Sequence, residues 1–67
     1  MLKLTFRKYG QEDTTTVETL AYAVIHELDG VYLHYAPEGV TSMKETFTDV
    51  IEKLDEANHF VSAETIQ

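Results

Sequence analysis

Residues 22–36, with the sequence YAVIHELDGVYLHYA, are the stretch on which the fold prediction depends. Apolar residues stand on both sides of Asp29-Gly30, a dipeptide that favours the tight turn of a β-hairpin. With Asp29-Gly30 as the loop, Leu28 would lie opposite Val31 in the neighbouring strand. The stretch therefore predicts two antiparallel strands joined by a two-residue turn.

Residues 15–28 also fit a helix, because apolar residues recur along one side of it. Two observations favour strand instead. The β-branched run at residues 14–17 makes a poor helix start. Glu27 and Asp29 would lie at the C-terminal end of such a helix, where its dipole disfavours negative charge. We therefore predict strand over residues 15–28 and keep helix as the alternative.

The predicted hairpin has two faces, since side chains alternate along a strand. One face would hold the floor of the core: Val24, His26, Leu28, Val31, Leu33 and Tyr35. The other would hold Ala23, Ile25, Glu27, Tyr32, His34 and Ala36. On the second face, Tyr32 and His34 are candidates for contacts of an exposed sheet. Because His26 and His34 fall on opposite faces, we predict no metal site shared with His59.

Residues 40–58 fit an amphipathic helix. Starting from Met43, apolar residues follow at spacings of +4, +7, +8, +11 and +14, which places them on one helical face. Ser42 and Glu45 have the spacing of a capping box, and Asn58 stands where a C-terminal cap would. The pattern predicts a helix that packs on the hairpin.

The two ends of the chain predict strands. Residues 2–9 alternate between apolar and polar side chains, residues 10–13 form a turn, and residues 60–65 suit a short strand. The predicted fold is a single α+β domain over residues 1–67. It is a three-stranded antiparallel meander with one helix packed on one face and a short C-terminal strand (β-β-β-α-β). The alternative is β-α-β-α-β.

Composition excludes several classes of function. The chain has 67 residues, no Cys, and 12 Asp and Glu against 5 Lys and Arg, a net charge of −7. Without Cys there is neither a disulfide framework nor a thiolate metal site. The acidic balance opposes nucleic-acid binding. No apolar stretch has the length of a membrane span or a signal peptide, so we expect a cytoplasmic protein.

An acidic stripe is the main candidate site. Glu45, Asp49, Glu52 and Glu56 would line one side of the predicted helix. The stripe predicts a docking face for a basic protein partner. The domain is small and has no disulfide or metal to stabilise it, which predicts a homodimer. We therefore expect a protein-interaction module, with a nucleic-acid-mimicking inhibitor of a nuclease or DNA-binding protein as the alternative. No catalytic, metal or cofactor motif is present, so we predict no enzyme activity.

Residues 22–57 resemble the HicB-like antitoxin family. The resemblance rests on the hairpin YAVIHELDGVY at residues 22–32, on PEG at residues 37–39, and on ETFTDVIEKLDEA at residues 45–57. It implies a helix on one face of an antiparallel sheet, self-association, and binding to a small basic ribonuclease. For this chain it implies a toxin-neutralising role without operator binding.

Overall fold

The fold is built from strands alone. A computed structural model describes residues 1–66, and those residues contain no helix. The six strands are β1 (Leu2–Phe6), β2 (Thr15–Thr19), β3 (Tyr22–Glu27), β4 (Gly30–Tyr35), β5 (Val50–Leu54) and β6 (Ser62–Thr65). The predicted α+β fold, in both its β-β-β-α-β and β-α-β-α-β forms, is therefore wrong. No helix among residues 1–66 could cross a membrane.

The strands form two antiparallel three-stranded sheets. The first sheet has the order β2-β1-β6 and the second has the order β3-β4-β5. After β1 the chain continues along β5: Tyr9 N donates to Lys53 O at 2.9 Å, and Asp55 N donates to Arg7 O at 3.1 Å. At another corner, β2 runs into β3 after two residues. The first sheet is thus tied to the second both by backbone hydrogen bonds and by chain continuity.

The core lies between the two sheets. Its buried side chains come from the central strands and from β5: Leu4, Phe6, Val31, Leu33 and Leu54. The rings of Phe6 and Tyr35 also meet across the core, with centroids 6.0 Å apart. Apolar residues at alternate positions of β1 and β4 point inward, as the strand period requires.

The stretch predicted as a helix forms a turn, an irregular segment and β5. Glu45 N donates to Ser42 O at 3.1 Å and Lys44 N donates to the Ser42 hydroxyl at 3.2 Å, so the capping-box residues close a single turn. In β5 the side chains alternate, with Ile51 exposed and Leu54 fully buried. Residues 50–54 fit a strand as well as a helix. Pairing with the edge of β4 satisfies the backbone hydrogen-bonding groups of these residues, so the stretch forms a strand.

The end of the predicted helix also differs. Asn58 is not a left-handed cap, because the left-handed backbone lies at Phe60, with φ 46°. The Asp55 carboxylate instead accepts hydrogen bonds from the backbone N–H groups of Ala57 and Asn58, at 3.0 and 3.1 Å. This short side-chain-to-backbone turn redirects the chain from β5 toward β6.

The central hairpin forms, but its register differs from the prediction by two residues. Glu27 pairs with Gly30 and Val24 with Leu33, so the loop is Leu28-Asp29. Gly30 has φ 151°, a conformation that side chains disfavour. Since a shift of two residues keeps each side chain on its face, the predicted faces survive within the strands. Leu28 is the exception: predicted on the buried face, it is fully exposed in the turn.

Candidate interaction surface

The outer face of the first sheet is polar. Its two cross-strand rows are Thr16–Thr5–Ser62 and Glu18–Lys3–Glu64. The Thr5 and Thr16 hydroxyls lie 3.4 Å apart. Lys3 sits between two carboxylate-bearing positions, which is the favourable arrangement of cross-strand charges. This face has the composition of a surface that stays in contact with water.

The outer face of the second sheet is largely apolar. Its two rows are Ala23–His34–Ile51 and Ile25–Tyr32–Lys53. Ile51 is 57% exposed and Ile25 is 38% exposed. We call these six residues the apolar face. Single exposed apolar residues are ordinary, but a cluster of them on one sheet face is typical of an interaction site.

Two polar groups of the apolar face are held in place. The Lys53 ammonium lies 4.6 Å from the centroid of the Tyr9 ring, a cation–π contact. The Tyr32 hydroxyl donates to the Asp29 carboxylate at 2.8 Å. That hydrogen bond is the main cause of a raised pKa of Tyr32; burial and the charges of Asp29 and Glu27 add to it. These contacts orient both groups before any partner binds.

A pocket of about 190 Å³ opens at one end of the apolar face. We call it the end pocket. The residues that line it include Tyr22, His34, Met43, Phe47 and Asp49. Tyr22 comes from β3 and His34 from β4, while the other three come from the irregular segment before β5. A cavity of roughly 150 Å³ holds a benzene-sized group, so the end pocket has room for one large side chain.

A larger cleft of about 800 Å³ is lined by residues of both sheets. Its charged residues carry both signs, Lys3 against Glu18 and Glu38. Burial, followed by the charge of Glu52, raises the pKa of Tyr35 in its wall. The mixed charges favour no single class of ligand, so we assign the cleft no function.

The four acidic residues of the predicted stripe lie in different elements. The Glu45 carboxylate accepts from the backbone N–H of Thr41 at 3.1 Å. Glu52 in β5 lies 3.7 Å from the Lys8 ammonium. Asp49 lines the end pocket, and Glu56 is exposed after β5. Without the helix, their spacing no longer places them on one line.

The other predicted site residues share a surface. Tyr32 and His34 both lie on the apolar face, as the hairpin pattern predicted. Sequence reasoning missed Ile51, Met43 and Phe47, which it assigned to the buried side of the helix. The sequence VIEKL of residues 50–54 does not alternate between apolar and polar residues, so no local pattern placed Ile51 on an outer face.

The histidines do not form a three-residue cluster. The rings of His26 and His59 lie near each other, with centroids 6.4 Å apart, whereas His34 is on the opposite face of the second sheet. In the part of the chain that the structure describes, no three His, Cys, Asp or Glu residues could hold a metal ion.

Comparisons with protein-family models, with curated proteins and with solved structures found no match. Over residues 45–57, where the HicB-like resemblance implied a helix, the chain forms an irregular segment, β5 and the turn after it.

Proposed function

We propose that this protein is a protein-interaction module that binds a basic protein partner through the apolar face. The observation that supports this is the contrast between the two outer faces: the first sheet presents hydroxyls and paired charges, while the second presents Ile25 and Ile51 to water. Covering those side chains removes apolar surface from water, which favours association.

Charge favours a basic partner over an acidic one. Glu27 follows Ile25 on the same side of β3, Asp29 lies in the hairpin turn, and Asp49 lies at the opposite end. The one cation of the apolar face, Lys53, is already engaged with Tyr9. A surface that combines exposed apolar side chains with acidic residues around them attracts a partner whose surface is basic and repels an acidic one.

The other functional expectations from the sequence stay predictions. A toxin-neutralising role rests on the residues of the HicB-like resemblance and stays a prediction, as do the cytoplasmic location and the absence of enzyme activity. The homodimer also stays a prediction. A dimer formed through the apolar face would bring like charges together, so we assign that face to a basic partner.

Affinity capture from a lysate of the native host tests the proposal with two matched variants. Ile51→Lys places a cation on the apolar face, and Thr16→Lys places the same group on the outer face of the first sheet. We expect a basic protein to be captured by the wild type and by Thr16→Lys, and to be lost with Ile51→Lys.

Three results would contradict the proposal. They are capture that Ile51→Lys leaves unchanged, a captured partner that is acidic, and capture of no basic protein. Sedimentation equilibrium adds a further test. If the wild type is a dimer and Ile51→Lys is a monomer, a second copy of the chain occupies the apolar face, and the assignment to a basic partner is wrong.

A further inference from the structure

We propose that the end pocket receives an arginine side chain of the basic partner. This inference rests on the proposed function and specifies the chemistry at one end of the apolar face. The three observations that carry it are the aromatic and thioether residues that line the end pocket, its single carboxylate, and its volume.

The walls suit a flat cation with an apolar stem. Tyr22, Phe47 and Met43 line the end pocket, and Met43 is 63% exposed, so the walls are reachable from water. A guanidinium group stacks on aromatic faces, and its aliphatic stem packs against apolar side chains. An ammonium group holds its water more strongly and lacks the planar shape, which favours arginine over lysine.

Asp49 supplies the charge. Within residues 1–66, its carboxylate has no hydrogen-bond donor and no cation in contact. The carboxylates of Asp29, Glu45 and Glu52, by contrast, are all engaged within the chain. A carboxylate accepts two parallel N–H bonds from a guanidinium. Asp49 is thus an unengaged carboxylate, and it is the one that lines the end pocket.

The volume of the end pocket suits one side chain. At about 190 Å³, the end pocket exceeds a benzene-sized cavity by a small margin. It accommodates the guanidinium and part of its stem while the partner's backbone stays outside. An anchor of this kind, an arginine in an aromatic pocket at an interface, is the type of contact that carries much of the binding energy of a complex.

The probes for the test are two capped tripeptides, Ac-Ala-Arg-Ala-NH₂ and its citrulline analogue, which has nearly the same shape without the charge. Titration is followed by amide resonances of the ¹⁵N-labelled full chain, which also report whether each variant is folded. We expect the arginine peptide to shift the resonances of Met43, Phe47 and Asp49, and to bind about tenfold more tightly than the citrulline peptide.

Two variants, each of which removes one negative charge, distinguish binding in the end pocket from attraction by the net charge of the protein. Asp49→Asn should weaken binding of the arginine peptide about tenfold, whereas Glu64→Gln, on the outer face of the first sheet, should change it less than about twofold. Equal binding of both peptides, equal effects of both variants, or shifts confined to residues outside the end pocket would overturn the inference.

The outcomes also separate this inference from the proposed function. If Ile51→Lys abolishes capture of a basic partner while the tripeptides show no preference for arginine, the apolar face stands and the arginine pocket is wrong. If the arginine peptide binds through Asp49 while Ile51→Lys leaves capture unchanged, the pocket stands and its place in the proposed interface is wrong.

Discussion

Thr19 is a polar residue inside the core, and its hydroxyl joins β2 to the chain just after β4. It is 1% exposed, and its oxygen lies 2.7 Å from the carbonyl oxygen of Ala36 and 3.1 Å from that of Ala21. Ala36 N also donates to Ala21 O at 3.1 Å. Thr19 therefore fixes the corner at which β2 passes into β3.

Replacing Thr19 by Val keeps its shape and removes the hydroxyl. The Ala36 carbonyl then loses a buried donor, so we expect a loss of about 1–3 kcal/mol in the free energy of unfolding. Urea denaturation measures it as a lower midpoint at an unchanged slope. Thr5→Val is the matched control, because its hydroxyl contact is exposed and long. We expect a change within about 0.5 kcal/mol there, and equal losses would contradict the role of Thr19.

The same leucine-to-alanine substitution at positions 33 and 28 tests which of the two side chains belongs to the core. Leu33 is fully buried, and Leu28 is fully exposed in the hairpin turn. Leu33→Ala should cost about 2–5 kcal/mol, because it leaves a cavity between the sheets. A domain of this length has a total stability of roughly 3–10 kcal/mol, so the variant approaches unfolding at room temperature.

Leu28→Ala should change stability by no more than about 0.5 kcal/mol. Thermal unfolding followed by circular dichroism compares the two leucine variants. The register with Asp29-Gly30 as the loop would place Leu28 opposite Val31 on the buried face. A large loss for Leu28→Ala would therefore favour that register over the observed one.

At the scale of the elements, residues 50–54 show why sequence reasoning failed for the predicted helix. Val50, Ile51 and Leu54 satisfy a helical spacing when counted with Met43 and Phe47, whereas the sequence VIEKL of residues 50–54 does not alternate between apolar and polar residues. What decides is the free edge of β4, a tertiary partner that lies about twenty residues earlier in the chain and that no local pattern reveals. Ser42 and Glu45 close a turn in either case, so they do not discriminate.

The hairpin of β3 and β4 could be predicted, because its pattern is local. The Asp29-Gly30 dipeptide marked the right place, and only the register was wrong. A two-residue shift leaves Val24 and Leu33 on the inner face and Tyr32 and His34 on the outer face. The candidate surface residues on this hairpin were therefore accessible from sequence, whereas those contributed by β5 and the segment before it were not.

Tyr32 provides a pH test of the hairpin turn. Its pKa is raised from the ordinary 10.0, first by its hydrogen bond to Asp29. Because the folded-state pKa exceeds that of the unfolded chain, the stabilising contribution is present below pH 10 and is lost as the pH rises through the folded-state pKa. Asp29→Asn should move the pKa of Tyr32 back toward its ordinary value, which the pH dependence of the ¹³Cζ chemical shift measures.

Tyr35 is the internal control for that titration. Burial is the main cause of its raised pKa, with the charge of Glu52 second, and neither involves the hairpin turn. The pKa of Tyr35 should therefore stay raised in Asp29→Asn. If both tyrosines shift together, the substitution has altered the sheet, and if neither shifts, the contact between Tyr32 and Asp29 is absent in solution.

At the scale of the whole molecule, closure of the fold depends on pairings between distant parts of the chain. β1 pairs with β6 near the other end of the sequence, and Lys8 bridges to Leu54. These contacts bring the basic N-terminal strand beside acidic segments: Lys3 lies opposite both Glu18 and Glu64, and Lys8 meets Glu52. Lys8 is thus paired within the fold and Lys3 lies opposite two acidic residues, while the acidic excess remains for the surface.

That acidic excess should make stability depend on salt. The chain carries a net charge of −7 and measures 33 × 24 × 14 Å. At about 10 mM salt the Debye length is about 30 Å, so like charges repel across the whole molecule, whereas at about 300 mM it is below about 8 Å. We expect Tm to rise by about 4–8 °C between these conditions, which corresponds to about 1 kcal/mol for a domain of this size.

A variant with Glu12, Glu38 and Glu64 changed to Gln should show a smaller rise, since three exposed charges are removed without touching the core or the apolar face. A Tm that falls with salt would mean that ion pairs such as Lys8–Glu52 outweigh the repulsion. An equal rise in both proteins would assign the effect to something other than net charge. A rise that depends on charge would mean that repulsion among the acidic residues destabilises the isolated chain. A basic partner would neutralise part of that negative charge and so stabilise the fold.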